Sequence, residues 1–323
     1  MSGLRTALVL CAIALPLHAD LLRYWSGNAD DVRPIVLKGP VLVLEGGGGD
    51  VTAGLQAAID RIRGCTSCAT KIDVVVLGTS GAGDDNPYFM KMNGVDSVLS
   101  MVITDRLSAS RPDVVQDVRN AELVYFAGGD ACGYIRWLKD SPVEAAVKAV
   151  FKRGGAVGGR GAGAAIQGEI AYESCPDQST ESSDALLDPF HAGVTLSRGF
   201  FEWPGMRGVI TDTHFQQRDR LGRLLVFLAR SRQGRPLTGL GISEGTVALV
   251  DRKGAGIVMG AGPVHLIAAD SPPQRLERGS PLEHRGVSIW RFEPGETFDL
   301  QNRPLRDPKT IDVIEGKLSG DPY

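Results

Sequence analysis

Four segments of this sequence carry residue types that could do chemistry together. Gly158 to Ala165, GGRGAGAA, follows an apolar run and opens a helical one. This is the pattern of a nucleophile elbow, a strand-to-helix turn that holds its central side chain on a strained backbone and uses a glycine two residues on for close helix packing. Gly163 supplies that glycine, but the central residue is Gly161 and has no side chain. Thr211 to Arg223, TDTHFQQRDRLGR, sets His214 among Asp212, Thr213, Arg218, Arg220 and Arg223. A histidine so placed is either a general base with carboxylate-binding neighbours or a capping residue on a solvated arginine face. Gly46-Gly47-Gly48-Gly49-Asp50 could bring backbone amides close to an anion or oxyanion, and could equally be a tight turn. It lacks both the dinucleotide-binding spacing and a phosphate-binding lysine. Phe126 to Cys132 ends another apolar run in Gly128, Gly129, Asp130 and Ala131, and by itself indicates only a strand end.

The elements that must position these residues follow from hydrophobic pattern. Near-continuous apolar runs at 41–46, 73–78, 98–103, 123–129 and 156–159 predict strands buried on both faces. Between them, 54–64 and 142–153 repeat apolar residues every three or four positions, as helices do. Alternation of this kind predicts right-handed βαβ units. The expected fold is therefore α/β, a three-layer sandwich around a mainly parallel sheet, of the flavodoxin-like or class I glutamine amidotransferase-like type. After Gly239, closely spaced runs such as TVALVD, GIVMG, VHLIAA and VSIWRF predict a short antiparallel C-terminal extension. The segment 174–183 has no periodicity and reads as a surface loop.

Met1 to Ala19 has Arg5 ahead of the apolar run ALVLCAIALPL and ends Leu17-His18-Ala19, the layout of a secretory leader. A secreted or periplasmic protein is expected, with residues 20–323 as one domain, its core at about 38–270 and a β-rich extension after 245. The 35 basic and 38 acidic residues leave a net charge of -3, which gives no field for nucleic acid or an anionic membrane. A small-molecule or peptide partner is expected, with no membrane association beyond export and a homodimer left open. Cys65, Cys68, Cys132 and Cys175 remain after processing and could form two disulfides in an oxidising compartment. A redox or metal role for Cys65 and Cys68 is the alternative, but no second such pair or histidine cluster lies near them, and no metal or cofactor is expected.

In their order along the chain, the four segments resemble motifs of the cyanophycinases and related dipeptidase E-type serine peptidases, over most of residues 40–250. The family elbow GTSAGA matches Gly159, Ala162, Gly163 and Ala164, with Arg160 in place of threonine and Gly161 in place of the nucleophilic serine. Its DQHFxxRxRxGR motif matches Asp212, His214, Phe215, Arg218, Arg220, Gly222 and Arg223, with Thr213 replacing glutamine. A GIGIDExTALV motif puts Glu244 at the acid position, and the GGDQ motif appears as Gly128 to Ala131 without its substrate-contacting glutamine. The resemblance implies Gly161, His214 and Glu244 at the catalytic positions and Gly128, Gly129 and Ala162 around the oxyanion. It also implies ligand contacts from Arg160, Asp130, Ala131, Asp212, Thr213, Arg218, Arg220 and Arg223.

The family reaction is serine acyl transfer, in which histidine takes the hydroxyl proton and glutamate orients the ring. Without the serine three readings stand. The chain could bind acidic or β-aspartyl peptide-like ligands without conventional peptidase activity. It could hydrolyse cyanophycin or β-aspartyl peptides by an altered mechanism, through water activated by His214 or through Cys132 or Thr213, with Cys132 alternatively paired to Cys175. Or it could serve a structural or partner-binding role that ignores the pocket.

Overall fold

The structure is a computed structural model and describes residues 21–32, 35–81, 84–175 and 179–323. The expected leader, Met1 to Ala19, lies outside the described residues. The first half of the chain runs β1 (Arg23–Gly27), β2 (Val41–Glu45), α1 (Thr52–Arg63), β3 (Ile72–Gly78), α2 (Asn86–Phe89), β4 (Val95–Val102), α3 (Pro112–Asn120), β5 (Leu123–Phe126), α4 (Ala131–Leu138), α5 (Pro142–Lys152), β6 (Ala156–Arg160) and α6 (Ala162–Ala165). There follow β7 (Ile170–Tyr172), α7 (Ser182–Leu187), β8 (Leu196–Arg198), β9 (Val209–Thr213), α8 (Leu221–Ser231), β10 (Thr238–Ile242), β11 (Thr246–Asp251), β12 (Ala255–Gly260), β13 (Val264–Ala268), β14 (His284–Phe292), β15 (Thr297–Asp299), β16 (Lys309–Ile314) and β17 (Lys317–Leu318).

The apolar runs form strands for the reason the pattern suggests. In β2, Val41 and Val43 pack on one face with Leu55, Ile59 and Ile62 of α1, while Leu42 and Leu44 enter the central core on the other. Each such side chain contributes roughly 1.5–3 kcal/mol when fully buried. Gly64 stops α1 at φ 75°, a left-handed conformation that glycine adopts without strain, and its amide returns to Asp60 and Arg61. Helix α5 starts where Ser141 accepts a hydrogen bond from the Glu144 amide and Pro142 takes the first turn.

The strands assemble into two mixed sheets rather than one mainly parallel sheet. The first has the order β1-β4-β3-β5-β6-β2-β11-β12-β15, and its five strands from β4 to β2 are parallel. The second has the order β17-β16-β14-β13-β10-β9-β7-β8, with only the β10–β9 and β9–β7 pairs parallel. The α/β class holds and the strands after 245 pair antiparallel, but the sheets are mixed rather than mainly parallel. Strands joined by short turns must pair antiparallel, and those after 245 divide between both sheets: β11, β12 and β15 widen the first, β13, β14, β16 and β17 the second. One buried cluster joins the facing sides of the two sheets, with Leu42 and Phe126 from the first and Leu240 and Leu266 from the second. Helix α8 covers the far face of the second sheet.

Candidate active site

The site lies where the two sheets meet. Strand β6 of the first sheet delivers Gly161, β9 of the second delivers His214, and the β10–β11 connection that passes between the sheets carries Glu244.

At the elbow, three glycines are sterically required and the fourth is not. A Cβ at Gly158 would meet the Val43 carbonyl at 1.9 Å, and Cβ atoms at Gly159 and Gly163 would each meet the Phe126 carbonyl at 2.2 Å. At Gly161, among the described residues and apart from its chain neighbours, such a Cβ comes within 4 Å of His214 Nε2 alone, at 3.4 Å, which is ordinary contact. The backbone at Gly161 has φ 54° and ψ -115°, a conformation that favours glycine and strains other residues. Its amide donates to the Glu45 carbonyl at 3.0 Å and its carbonyl accepts from the Ala164 and Ala165 amides. The turn thus has the form of an elbow, with room for a side chain directed at a histidine nitrogen.

His214 is held from both ends. Its amide donates to the Gly46 carbonyl at 2.7 Å, its φ is 50°, and its Nδ1 lies 2.5 Å from Glu244 Oε1. Burial lowers the ring's pKa below the ordinary histidine value, with Arg218 and Arg220 acting in the same direction against the Glu244 hydrogen bond. A proton held on Nδ1 by the carboxylate leaves the Nε2 lone pair facing Gly161. The Gly46 to Gly49 loop makes this pair possible: a Cβ at Gly47 would enter the His214 ring at 2.3 Å, and one at Gly48 would strike the Glu244 side chain at 2.6 Å. Gly47 and Gly48 thus give clearance to the histidine and the glutamate, and Gly47, Gly48 and Gly49 also line the cavity that opens over the site.

The arginines divide. Arg223 is buried, its Nε donating to Asp212 Oδ2 at 2.8 Å and its other nitrogens to Asp212, Ser179 and the Thr180 carbonyl. Arg220 donates to the Thr213 carbonyl at 2.7 Å and lies 3.6 Å from Asp212; burial, the largest influence, lowers its pKa to about 10. Only Arg218 presents a largely exposed guanidinium, 52% accessible, with Nε 3.9 Å from Glu244. Arg160 is anchored sideways by Asp50 at 2.7 Å and Asp85 at 2.9 Å; although burial opposes its charge, these carboxylates raise its pKa above the ordinary value. Beside it in the strand register, Glu45 is fully buried with neither carboxyl oxygen hydrogen-bonded. Burial, reinforced by the charge of Asp50, pushes the Glu45 pKa up to about 8, with the Arg160 charge offsetting it only in part.

A cavity of about 860 Å³ opens over this arrangement. Of the sequence-predicted residues, Gly128, Gly129, Asp130, Ala131, Arg160, Gly161 and Ala162 line it from the first sheet's side. Thr213, His214, Arg218, Arg220 and Arg223 line it from the second, while Asp212 is buried behind the wall and Glu244, partly exposed, stands outside the lining. Asp130 is oriented by helix α4, whose Cys132 and Gly133 amides it caps at 2.8 and 3.0 Å. Cys132 is bonded to Cys175 and Cys65 to Cys68, so the structure removes Cys132 as a thiolate candidate. The sequence reading missed Ser80, Tyr172, Ser174 and Ser179 in the cavity wall. Ser80 follows the end of β3, a position where the strand pattern could have pointed to it; the other three flank or fall in the segment read as a surface loop. Among the described residues no group of three or more His, Cys, Asp or Glu is arranged to hold a metal.

The chain is similar to cyanophycinases. It is 28% identical over 218 residues to the cyanophycinase of Synechococcus elongatus, a match covering 66% of this chain and 63% of that protein. The chain therefore spans less than two thirds of that relative's length. It is 27% identical over 236 residues to the cyanophycinase of Geminocystis herdmanii, covering 72% and 81% respectively. A crystal structure of a peptidase from an acI-B1 actinobacterium superposes with a TM-score of 0.54 at 17% identity, covering 81% of this chain and 97% of that one. No protein-family model matches. The sequence likeness supports a cyanophycinase-like peptidase scaffold, and the structural likeness an α/β fold.

Proposed function

We propose that this chain is a binding protein on a serine-hydrolase scaffold, without conventional serine peptidase activity, whose cavity takes acidic or β-aspartyl peptide-like ligands. The observation that carries the reading is Gly161, a cavity-lining elbow residue with no hydroxyl to activate, facing His214 Nε2. In the subtilisin case, loss of the serine costs on the order of 10⁶ in turnover. The exposed Arg218 at the cavity wall supports an anionic ligand, with Arg220 beside it. Arg160 contributes less than its charge suggests, because Asp50 and Asp85 already engage it. Calorimetric titration with β-aspartyl dipeptides tests the reading. Binding that weakens in Arg218→Ala supports it; no binding by the folded wild type, or unchanged binding in the variant, overturns it.

A second reading, altered hydrolysis, is favoured by one observation: the His214–Glu244 contact of 2.5 Å persists where binding alone would not need it. Turnover of β-aspartyl-arginine by wild type that vanishes in His214→Ala would establish it. Export is part of the proposal, and N-terminal sequencing of the mature protein beginning near Asp20 would support it.

A further inference from the structure

The elbow keeps the surroundings of a nucleophile while omitting the nucleophile itself. The volume that a side chain at 161 would occupy is bounded by Gly161 and His214, both lining the cavity. It is not closed off by backbone, as the corresponding volumes at Gly159 and Gly163 are. A Cβ there would sit 3.4 Å from Nε2, so a group of one or two heavy atoms in this space lies within hydrogen-bonding reach of the ring. The glutamate contact at Nδ1 fixes the ring and leaves Nε2 as the acceptor.

We propose that this space is a subsite for a small hydroxylic nucleophile, water or a one-carbon alcohol, which His214 deprotonates for attack on an acyl group held in the cavity. The inference rests on the proposed function in one respect, that the cavity admits a ligand. In the step, the O–H proton passes to Nε2 as the oxygen forms a bond to the carbonyl carbon. Collapse of the tetrahedral adduct breaks the bond to the leaving oxygen, which takes the proton back from Nε2. Water thus converts an ester to an acid and an alcohol, methanol converts it to a methyl ester and an alcohol, and the histidine ends as it began. No acyl-enzyme forms, because residue 161 has no atom to carry one. General-base assistance of this kind is worth about 10²–10⁴-fold.

The test uses wild-type protein, p-nitrophenyl acetate and increasing methanol, with nitrophenolate release and methyl acetate followed together. Methyl acetate formation should rise with methanol, fall about 10²-fold or more in His214→Ala, and drop in Gly161→Ala, whose Cβ enters the subsite. The positive φ at 161 strains alanine, so a size series on wild type stands beside that variant: methanol should react and tert-butanol should not. Equal methyl acetate formation in wild type and His214→Ala, or equal reaction of both alcohols, would overturn the proposal. Titration with a β-aspartyl dipeptide, run in parallel, separates the two claims. Binding without methanolysis rejects the subsite and leaves the binding function standing; methanolysis without binding does the reverse.

Discussion

Restoring the missing hydroxyl, Gly161→Ser, tests the site geometry most directly. The new Cβ would lie 3.4 Å from His214 Nε2 with no other described residue beyond its chain neighbours within 4 Å, so a staggered rotamer can place Oγ in the roughly 2.6–3.2 Å range a nucleophile and its base require. The cost is the backbone: a non-glycine residue at φ 54° and ψ -115° loses about 1–3 kcal/mol. In a domain of this size that lowers Tm by several degrees, at about 2–4 °C per kcal/mol. Arg160 should be left in place, because threonine there would strand Asp50 and Asp85 without their cation. The readout is labelling by a fluorophosphonate, which needs an activated serine but no particular substrate. Strong labelling is expected in Gly161→Ser and none in wild type, with labelling of the variant lost on adding His214→Ala. Because the histidine pKa is lowered, the neutral base persists to lower pH, and the acid limb of labelling should fall below the ordinary value of about 6.5. A folded Gly161→Ser protein that labels no better than wild type would refute the claim that His214 is poised as a base.

Other consequences concern the supports of the site. Arg223→Ala leaves Asp212 buried without its bidentate partner and should destabilise the protein by about 3–5 kcal/mol, read from chemical denaturation. Glu45 has a folded-state pKa near 8, above that of an unfolded carboxyl, so between about pH 4.5 and 8 the folded state holds the extra proton. Its contribution is therefore complete at low pH and lost as pH rises, by up to about 1.4 kcal/mol per pH unit; Glu45→Gln should flatten that part of the stability profile, and an unchanged slope would rule Glu45 out as its source. The Cys132–Cys175 bond closes a loop across a separation of 43 residues, for which the chain-entropy model gives about 4 kcal/mol. Cys132→Ser should lower the denaturation midpoint accordingly, and iodoacetamide should not alkylate the native protein without reduction.

What the sequence revealed depended on how local the signal was. The five parallel strands of the first sheet were legible because continuous Val and Leu runs are buried on both faces, and α1 and α5 because their apolar spacing and end residues agree. The division of β11 to β17 between two sheets was not, since a short alternating strand looks the same whichever sheet it joins. At the site, Gly161, His214 and Glu244, the three positions the family resemblance singles out, lie together. The roles of the arginines were hidden because charge alone does not reveal a buried partner: Asp212 lies 11 residues before Arg223, and Asp50 lies 110 before Arg160. The tetraglycine segment suits either a close approach to a ligand or a tight turn, and nothing local shows that Gly47 and Gly48 also give clearance to two side chains, His214 and Glu244, that arrive from far along the chain.

Those two side chains and the elbow belong to different sheets, and this has a mechanical consequence. Gly161 moves with the first sheet and His214 with the second, so their separation measures how the two halves are seated on each other. A relative slip of about 1 Å, enough to cost a reaction about 10²-fold, could arise from a packing change anywhere along the shared core. The hydrogen bond from the His214 amide to the Gly46 carbonyl, at 2.7 Å, crosses that seam and acts as a rivet. Substitutions far from the cavity that loosen the seam should therefore alter the site without touching any residue in it.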